Sequence, residues 1–442
     1  MDRSTRFTSA VAMTVFVFLA CAMGLSQAEA QSFGQFKQQA VTKVQKHLNN
    51  HSKGTAKNII FMVPDGMGLS YVTAARILKN GPNGEPLALE QLPQIGYQRT
   101  HSADSTVTDS AAAGSAWACG QKFNNREVSC HSEDGDLMYC EDIPQSILEI
   151  AEEKGKATGL VASSQISHAT PAAFGAHVPV RYCGAEIARQ YIEDTEVDVV
   201  LGGGVYKTSS DYNCQQFTDS WDNLRSNEAV AERAAMFGYE VVEDEQALFD
   251  AVAFGSQKIF GMFTDYGKGK TPELFRLNGY QNATGADLPK QSNYPDGEPT
   301  LAEMTEAALD TLELDQDGFF MMVEGSQIDW AGHGNALEYQ MAEMLAFDAA
   351  VEVVQDWLDE RPNRKAQTLV VVVGDHDTGG FAVNGPYGSL SDQGQLVEDG
   401  WSSSDHTAVD TVIWSQGPGS EFLGMPVDNT DLFDVMKYAM GN

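Results

Sequence analysis

Short apolar runs rich in β-branched residues recur along the chain, and each stops abruptly at polar or glycine-rich punctuation. Asn58 to Val63 halts at Pro64-Asp65-Gly66, and Val197 to Leu201 halts at Gly202-Gly203-Gly204. Phe319 to Val323 halts at Glu324-Gly325, and Leu369 to Val373 halts at Gly374-Asp375-His376. Runs that are apolar at successive positions predict central strands covered on both faces. Helical patterns lie between them. Thr300-Leu301-Ala302-Glu303 has the capping-box spacing and opens a helix expected to reach about Leu314. Asn335 to about Glu360 is a long amphipathic stretch without Gly or Pro. Strands alternating with helices predict an α/β fold, a three-layer α/β/α sandwich on a mostly parallel sheet. Residues 206–227 and 267–297 are polar and read as surface insertions.

Polar residues at the strand ends turn this pattern into chemistry. In open α/β sheets the ligand crevice lies outside the carboxyl ends of the strands. Asp65, Glu324 and Asp375 each follow such a run directly, and His376 follows Asp375. One carboxylate there is an ordinary turn residue. Three converging carboxylates repel one another unless cations sit among them, so metals are the economical reading. Asp329 and His333 are spaced to share one face of a helical turn, and His406 is expected in a small, polar loop. Imidazole mixed with carboxylate suits zinc, whereas an all-oxygen set suits magnesium. His47, His51 and His131 read as structural.

The candidate nucleophile is Ser110. Thr108 and Asp109 are N-cap residue types ahead of an alanine-rich helical run, so Ser110 falls at or near the first helical position. Free N–H groups and the positive dipole end there suit both an alkoxide and a phosphate. From spacing alone, a plain cap is the stronger reading. No histidine is adjacent in sequence to act as base, which leaves a metal to activate the serine.

Taken together, these motifs resemble those of alkaline phosphatases, over Asn58 to about Gly419. The markers are Val63 to Gly68, Val107 to Ala112, His168-Ala169-Thr170-Pro171, Val323-Glu324-Gly325 through Asp329 to His333, Gly374 to Gly380, and His406-Thr407-Ala408. The resemblance implies one zinc on Asp329, His333 and His406, and another on Asp65, Asp375 and His376 beside Ser110. It implies a magnesium on Asp65, Thr170 and Glu324, and a substrate phosphate held by Arg181. The sequence departs from the enterobacterial branch at His168, where that branch has Asp, and at Trp330, where it has Lys. His168 is expected beside the magnesium ligands and Trp330 near the phosphate. The implied reaction is hydrolysis of phosphate monoesters through a phosphoserine, by a homodimer. Related folds cleave phosphodiesters or sulfate esters, and an exported metal- or phosphate-binding protein without turnover is the non-enzyme alternative. Against these, Ser110 lacks the Cys/Ser-x-Pro-x-Arg context of sulfatases, and a binder has no use for a serine aimed between metals.

Composition narrows the setting. The chain has 442 residues with 28 Lys+Arg against 62 Asp+Glu, a formal net charge of -34. Such a surface repels nucleic-acid backbones and anionic lipid, which excludes binders of either. Length alone would allow about three domains. Ligands running from Asp65 to His406 must nevertheless meet in one crevice, so residues 31–442 are read as one catalytic domain. Residues 1–30 read as a signal peptide: Arg3 and Arg6, an apolar stretch from Ala10 to Leu25, then Ala28-Glu29-Ala30 as cleavage site. Periplasmic or secreted localisation follows, and in an oxidising compartment the cysteines become readable. Cys130 and Cys140 bracket a polar stretch they would close, Cys183 and Cys214 would staple a longer one, and the apolar helical context of Cys119 leaves it free.

Overall fold

The computed structural model describes residues 56–132, 137–209, 214, 226–271 and 297–441. The expected leader therefore lies outside the described residues, as do most of both expected insertions.

Ten strands form one sheet. In chain order they are β1 (Asn58–Pro64), β2 (Gln94–Arg99), β3 (Ala157–Gln165), β4 (Val199–Gly203) and β5 (Glu240–Val242). These are followed by β6 (Ile259–Met262), β7 (Phe319–Gly325), β8 (Thr368–Val373), β9 (Thr411–Gln416) and β10 (Pro426–Asp428). Their spatial order is β10-β2-β9-β8-β1-β7-β3-β4-β6-β5. Only β9 runs against the others, pairing antiparallel with β8 on one side and β2 on the other. The continuous apolar runs occupy the middle: β1, β7 and β8 are buried along their whole length.

Alternation along β1 sorts the layers. Ile60 and Met62 join a core cluster with residues of helices Leu69–Asn80, Leu301–Leu312 and Leu337–Glu360. Phe61 points the other way and packs on Trp117 at 5.1 Å and Phe174 at 5.6 Å between ring centroids. Trp117 lies on α1 (Ser110–Cys119) and Phe174 on α2 (Ala169–Gly175). The sheet is therefore covered on both faces, which is the sandwich expected. The α1–α2 contact is tight because a Cβ on Gly114 would stand 2.9 Å from that of Ala173. This close approach brings Ser110 and Thr170, one from each helix, toward the same end of the sheet.

Element boundaries mostly follow the sequence pattern. Thr300 caps Leu301–Leu312 through a full capping box with Glu303. Three strands run past their expected ends, β1 only by Pro64. β4 continues through Gly202 and Gly203 because neighbouring backbone lies so close that a Cβ on Gly203 would meet the Lys268 carbonyl at 2.5 Å. β7 continues through Glu324, which pairs with Val63 on one side and Ala162 on the other. His406 lies not in a loop but in a two-residue ladder with Asp377–Thr378. Cys130–Cys140 and Cys183–Cys214 are disulfides, and Cys119 is free and buried. Among the described residues, no helix is long and apolar enough to cross a membrane.

Candidate active site

Three neighbouring strands deliver the carboxylates. Asp65 leaves β1, Glu324 lies near the end of β7, and Asp375 follows β8; all three are fully buried. Gly66 adopts φ +74, a conformation natural to glycine, and its N–H donates 2.9 Å to Asp375 Oδ1. His376 N donates 3.0 Å to the same oxygen. His376 Nε2 lies 3.0 Å from Asp375 Oδ2 and 3.7 Å from Asp65 Oδ1.

Ser110 begins α1 as the alanine run required, capped by Asp109, whose side chain accepts from Ala112 N. Ser110 Oγ lies 3.4 Å from His376 Nε2, although the two are 266 positions apart. Nothing local in the sequence announced that contact.

A third helix, α3 (Gln327–His333), carries Asp329 and His333 on one turn, as their spacing implied. His333 Nε2 is 3.5 Å from Asp329 Oδ2, and His406 Nε2 is 3.4 Å from Asp329 Oδ1. The far nitrogens decide the tautomers. His406 Nδ1 donates 2.8 Å to the Thr108 carbonyl, and His333 Nδ1 donates 2.7 Å to that of Ser404. Both Nε2 lone pairs are thereby turned inward, 3.1 Å apart. Two facing lone pairs beside a carboxylate want a cation between them. Burial lowers the His406 pKa, but Asp329 more than offsets it and pushes the group up to about 9, so a proton can take that place.

The remaining buried polar atoms tell the same story. Both oxygens of Asp65, Asp375 Oδ2, Glu324 Oε1, Thr170 Oγ1 and His168 Nδ1 make no hydrogen bond of normal geometry. Orphaned buried polar groups cost about 1–3 kcal/mol each, more when charged, so the carboxylate and hydroxyl oxygens of this set persist for a ligand. Burial, then Asp375, Asp329 and Glu324, drive the Asp65 pKa well up, and burial pushes Glu324 up to about 7. Side-chain atoms of Asp65, Asp375 and His376 lie within 4.8 Å of one another, as do those of Asp329, His376 and His406, and those of Asp65, His168 and Glu324. His168, expected beside the third ligand set, is thus within that grouping.

The family model for alkaline phosphatase matches residues 56–398. The chain belongs to the alkaline phosphatase family. It is 31% identical over 462 residues to alkaline phosphatase 3 of Bacillus subtilis, covering 86% of this chain and 89% of that one. It is 32% identical over 432 residues to the Escherichia coli alkaline phosphatase, covering 87% and 86%. The fold superposes on the alkaline phosphatase of the Antarctic bacterium TAB5 with a TM-score of 0.66 at 27% identity, over 88% of this chain and 100% of that one. This member of the family is a phosphomonoesterase hydrolase with candidate metal sites.

In this phosphatase Arg181 is nearly buried and oriented on two sides. Its Nη1 donates 3.0 Å to Asp109 Oδ2 and its Nη2 donates 3.1 Å to His168 Nε2. His168 accepts because burial, then the guanidinium, press its pKa down to about 3. Asp109 was legible in the sequence as a cap but not as the partner of Arg181. Thr378, which donates 2.5 Å to Asp329 Oδ1 and lies 3.2 Å from His376 Nδ1, carried no signal beyond its place in a motif. Ser110, Arg181, His168, Trp330, Asp329, His333 and His406 line one cavity of about 1080 Å³.

Proposed function

We propose that the chain hydrolyses phosphate monoesters through a phosphoserine on Ser110, with two zinc ions and one magnesium ion held around it. The donor chemistry supports three sites. Asp329, His333 and His406 would hold one zinc, and Asp65, Asp375 and His376 the other, both mixed imidazole–carboxylate sets. Asp65, Thr170 and Glu324, all oxygen, would hold magnesium with His168 beside them. Two TAB5 variants with one histidine replaced by Glu or Asp are described with Mg bound in their M3 site. When bound, the ions supply positive charge that favours a serine alkoxide and offsets charge on the departing oxygen.

The chain's own residues do the rest. Ser110 presents its oxygen at the first turn of α1, where free backbone N–H groups and the helix dipole stabilise negative charge. Its Oγ bonds to phosphorus as the ester P–O bond breaks and the alcohol leaves. Water then cleaves the phosphoserine, releasing phosphate and restoring the hydroxyl. Arg181 offers two N–H groups to non-bridging oxygens throughout, held in position by Asp109.

The observation that carries this reading is Ser110 Oγ at a helix N-terminus, 3.4 Å from an imidazole that sits among buried carboxylates, each with at least one oxygen lacking a hydrogen-bond partner. Residues 31–442 would act as one catalytic domain, exported by the leader at 1–30, and the two disulfides fit an oxidising compartment. The homodimer is carried by the family resemblance, and light scattering on the purified chain tests it. The chemistry is tested by incubating wild type and Ser110→Ala with labelled phosphate at acid pH. Label should be trapped on Ser110 alone, and the variant should trap none while keeping a small residual rate. Label on any other residue would refute the mechanism.

A further inference from the structure

The cavity in front of Ser110 is far larger than the phosphoryl group requires. Its volume of about 1080 Å³ is that of sites holding whole drug-sized ligands, about 300–1,000 Å³. The surplus space has a distinctive wall. Tyr182, Tyr206, His168 and Trp330 follow one another in contact: Tyr182 to Tyr206 is 6.4 Å between ring centroids, Tyr206 to His168 5.7 Å, and His168 to Trp330 5.9 Å. His168, inside the series, ties it to the phosphate end, because its Nε2 accepts from Arg181.

The backbone of Tyr206 and the indole of Trp330 are held in place. Tyr206 N donates 2.9 Å to Ser167 Oγ, and its carbonyl stands over Gly184, where a Cβ would come within 2.0 Å. Trp330 is backed by Gly269, where a Cβ would stand 2.6 Å from the indole Cη2. Lys270 next to it is buried in an ion pair with Glu298 at 2.6 Å, and its carbonyl accepts 2.7 Å from Gln327 Nε2 on the helix that carries Trp330. Rigid aromatic faces bind flat ligands with little loss of conformational entropy. Beyond Arg181 the lining includes the carboxylates Asp104 and Asp405 against one further cation, Arg126, a balance that disfavours an anionic leaving group.

We propose that Tyr182, Tyr206 and Trp330 form a subsite for the leaving alcohol, selecting monoesters that carry a flat, uncharged aromatic ring, above all nucleoside 5′-monophosphates. The proposal rests on reading Ser110 and Arg181 as the phosphate end of the cavity. The base stacks on the aromatic wall while the ester phosphate lies against Arg181.

The test compares adenosine 5′-monophosphate with ribose 5-phosphate. Both are esters of a primary sugar hydroxyl, so the alcohols leave with similar ease and the base is the main difference. Wild type should favour the nucleotide about tenfold or more in kcat/KM, chiefly through KM, as one stacked base contributes. Tyr206→Ala should lower that ratio at least fivefold, and Tyr206→Phe should restore it. The ratio is taken on one preparation, so partial misfolding of a variant cancels. A wild-type ratio near one, or a ratio unmoved in Tyr206→Ala, would overturn the aromatic subsite alone. Failure of wild type on both substrates would overturn the reading of the phosphate end, and the subsite with it.

Discussion

Arg181 donates 3.0 Å to Asp109, the residue that caps the helix on which Ser110 stands. One carboxylate thus orients both the candidate nucleophile's helix and the guanidinium that would read the phosphate. A monoester dianion keeps three non-bridging oxygens for that guanidinium, whereas a diester has one of them esterified and carries one charge fewer. Arg181→Ala should therefore cost monoester turnover roughly 3 kcal/mol, about two orders of magnitude in kcat/KM. Hydrolysis of the matching methyl diester should fall much less. Asp109→Asn, which keeps a good cap, should lose about tenfold on the monoester. Assays of an aryl monoester and its methyl diester at one pH check all of this. Equal losses on both esters would show that Arg181 does not read the dianion.

What the sequence disclosed depended on how far apart the partners were. β1, β7 and β8 were readable because strands buried on both faces leave unbroken apolar runs, and α1 because its cap and alanines are contiguous. The order of those strands in the sheet is not local, and neither are the contacts it creates. Asp109 with Arg181, 72 positions apart, and Thr378 with Asp329, 49 apart, form only once the sheet is assembled. The glycines of β4 misled for the opposite reason. Locally they look like punctuation, yet they continue the strand because adjacent backbone leaves no room for a Cβ.

Metal removal should act at two levels. Chelation should abolish turnover, zinc should restore most of it, and magnesium should add to zinc without replacing it. The inward-facing Nε2 atoms of His333 and His406 favour zinc, whereas the Asp65, Thr170 and Glu324 oxygens favour magnesium. Turnover of the chelated and dialysed protein, with each metal added back alone and together, measures this. Full recovery on magnesium alone would contradict the assignment.

Cys119 should be silent in the native protein. Burial pushes its thiol up to about 12, so almost none is thiolate near neutral pH. Native protein should resist alkylation, while denatured, unreduced protein lacking the leader should take up one label, at Cys119. Intact mass before and after labelling checks this. A label mapped to Cys130 or Cys183 would contradict the pairing found here.

Away from the active site, His177 ties the backbone beside the Cys130 disulfide to helix Ile147–Glu153. Its Nδ1 donates 2.6 Å to the Ser129 carbonyl, and its Nε2 lies 3.2 Å from Glu149 Oε1. Burial alone would lower the His177 pKa, but Glu149, the Ser129 carbonyl and Asp194 more than offset it, and the group is raised above its usual 6.5. Burial alone would raise Glu149, but His177 and Ser146 bring it below its usual 4.5. A raised histidine stabilises the fold fully below about 6.5 and loses that contribution as pH climbs through its folded value. A lowered glutamate stabilises fully above about 4.5 and loses its contribution as pH falls through its folded value. The pair is therefore at full strength between those two values and fades in alkali. His177→Gln should cost roughly 1 kcal/mol more at pH 6 than at pH 9. The check is the urea midpoint of variant and wild type at both pH values, because pH effects on the active-site groups cancel in the difference between the two proteins. An equal penalty at pH 6 and pH 9 would show that the bond, and not the charge, is what His177 contributes.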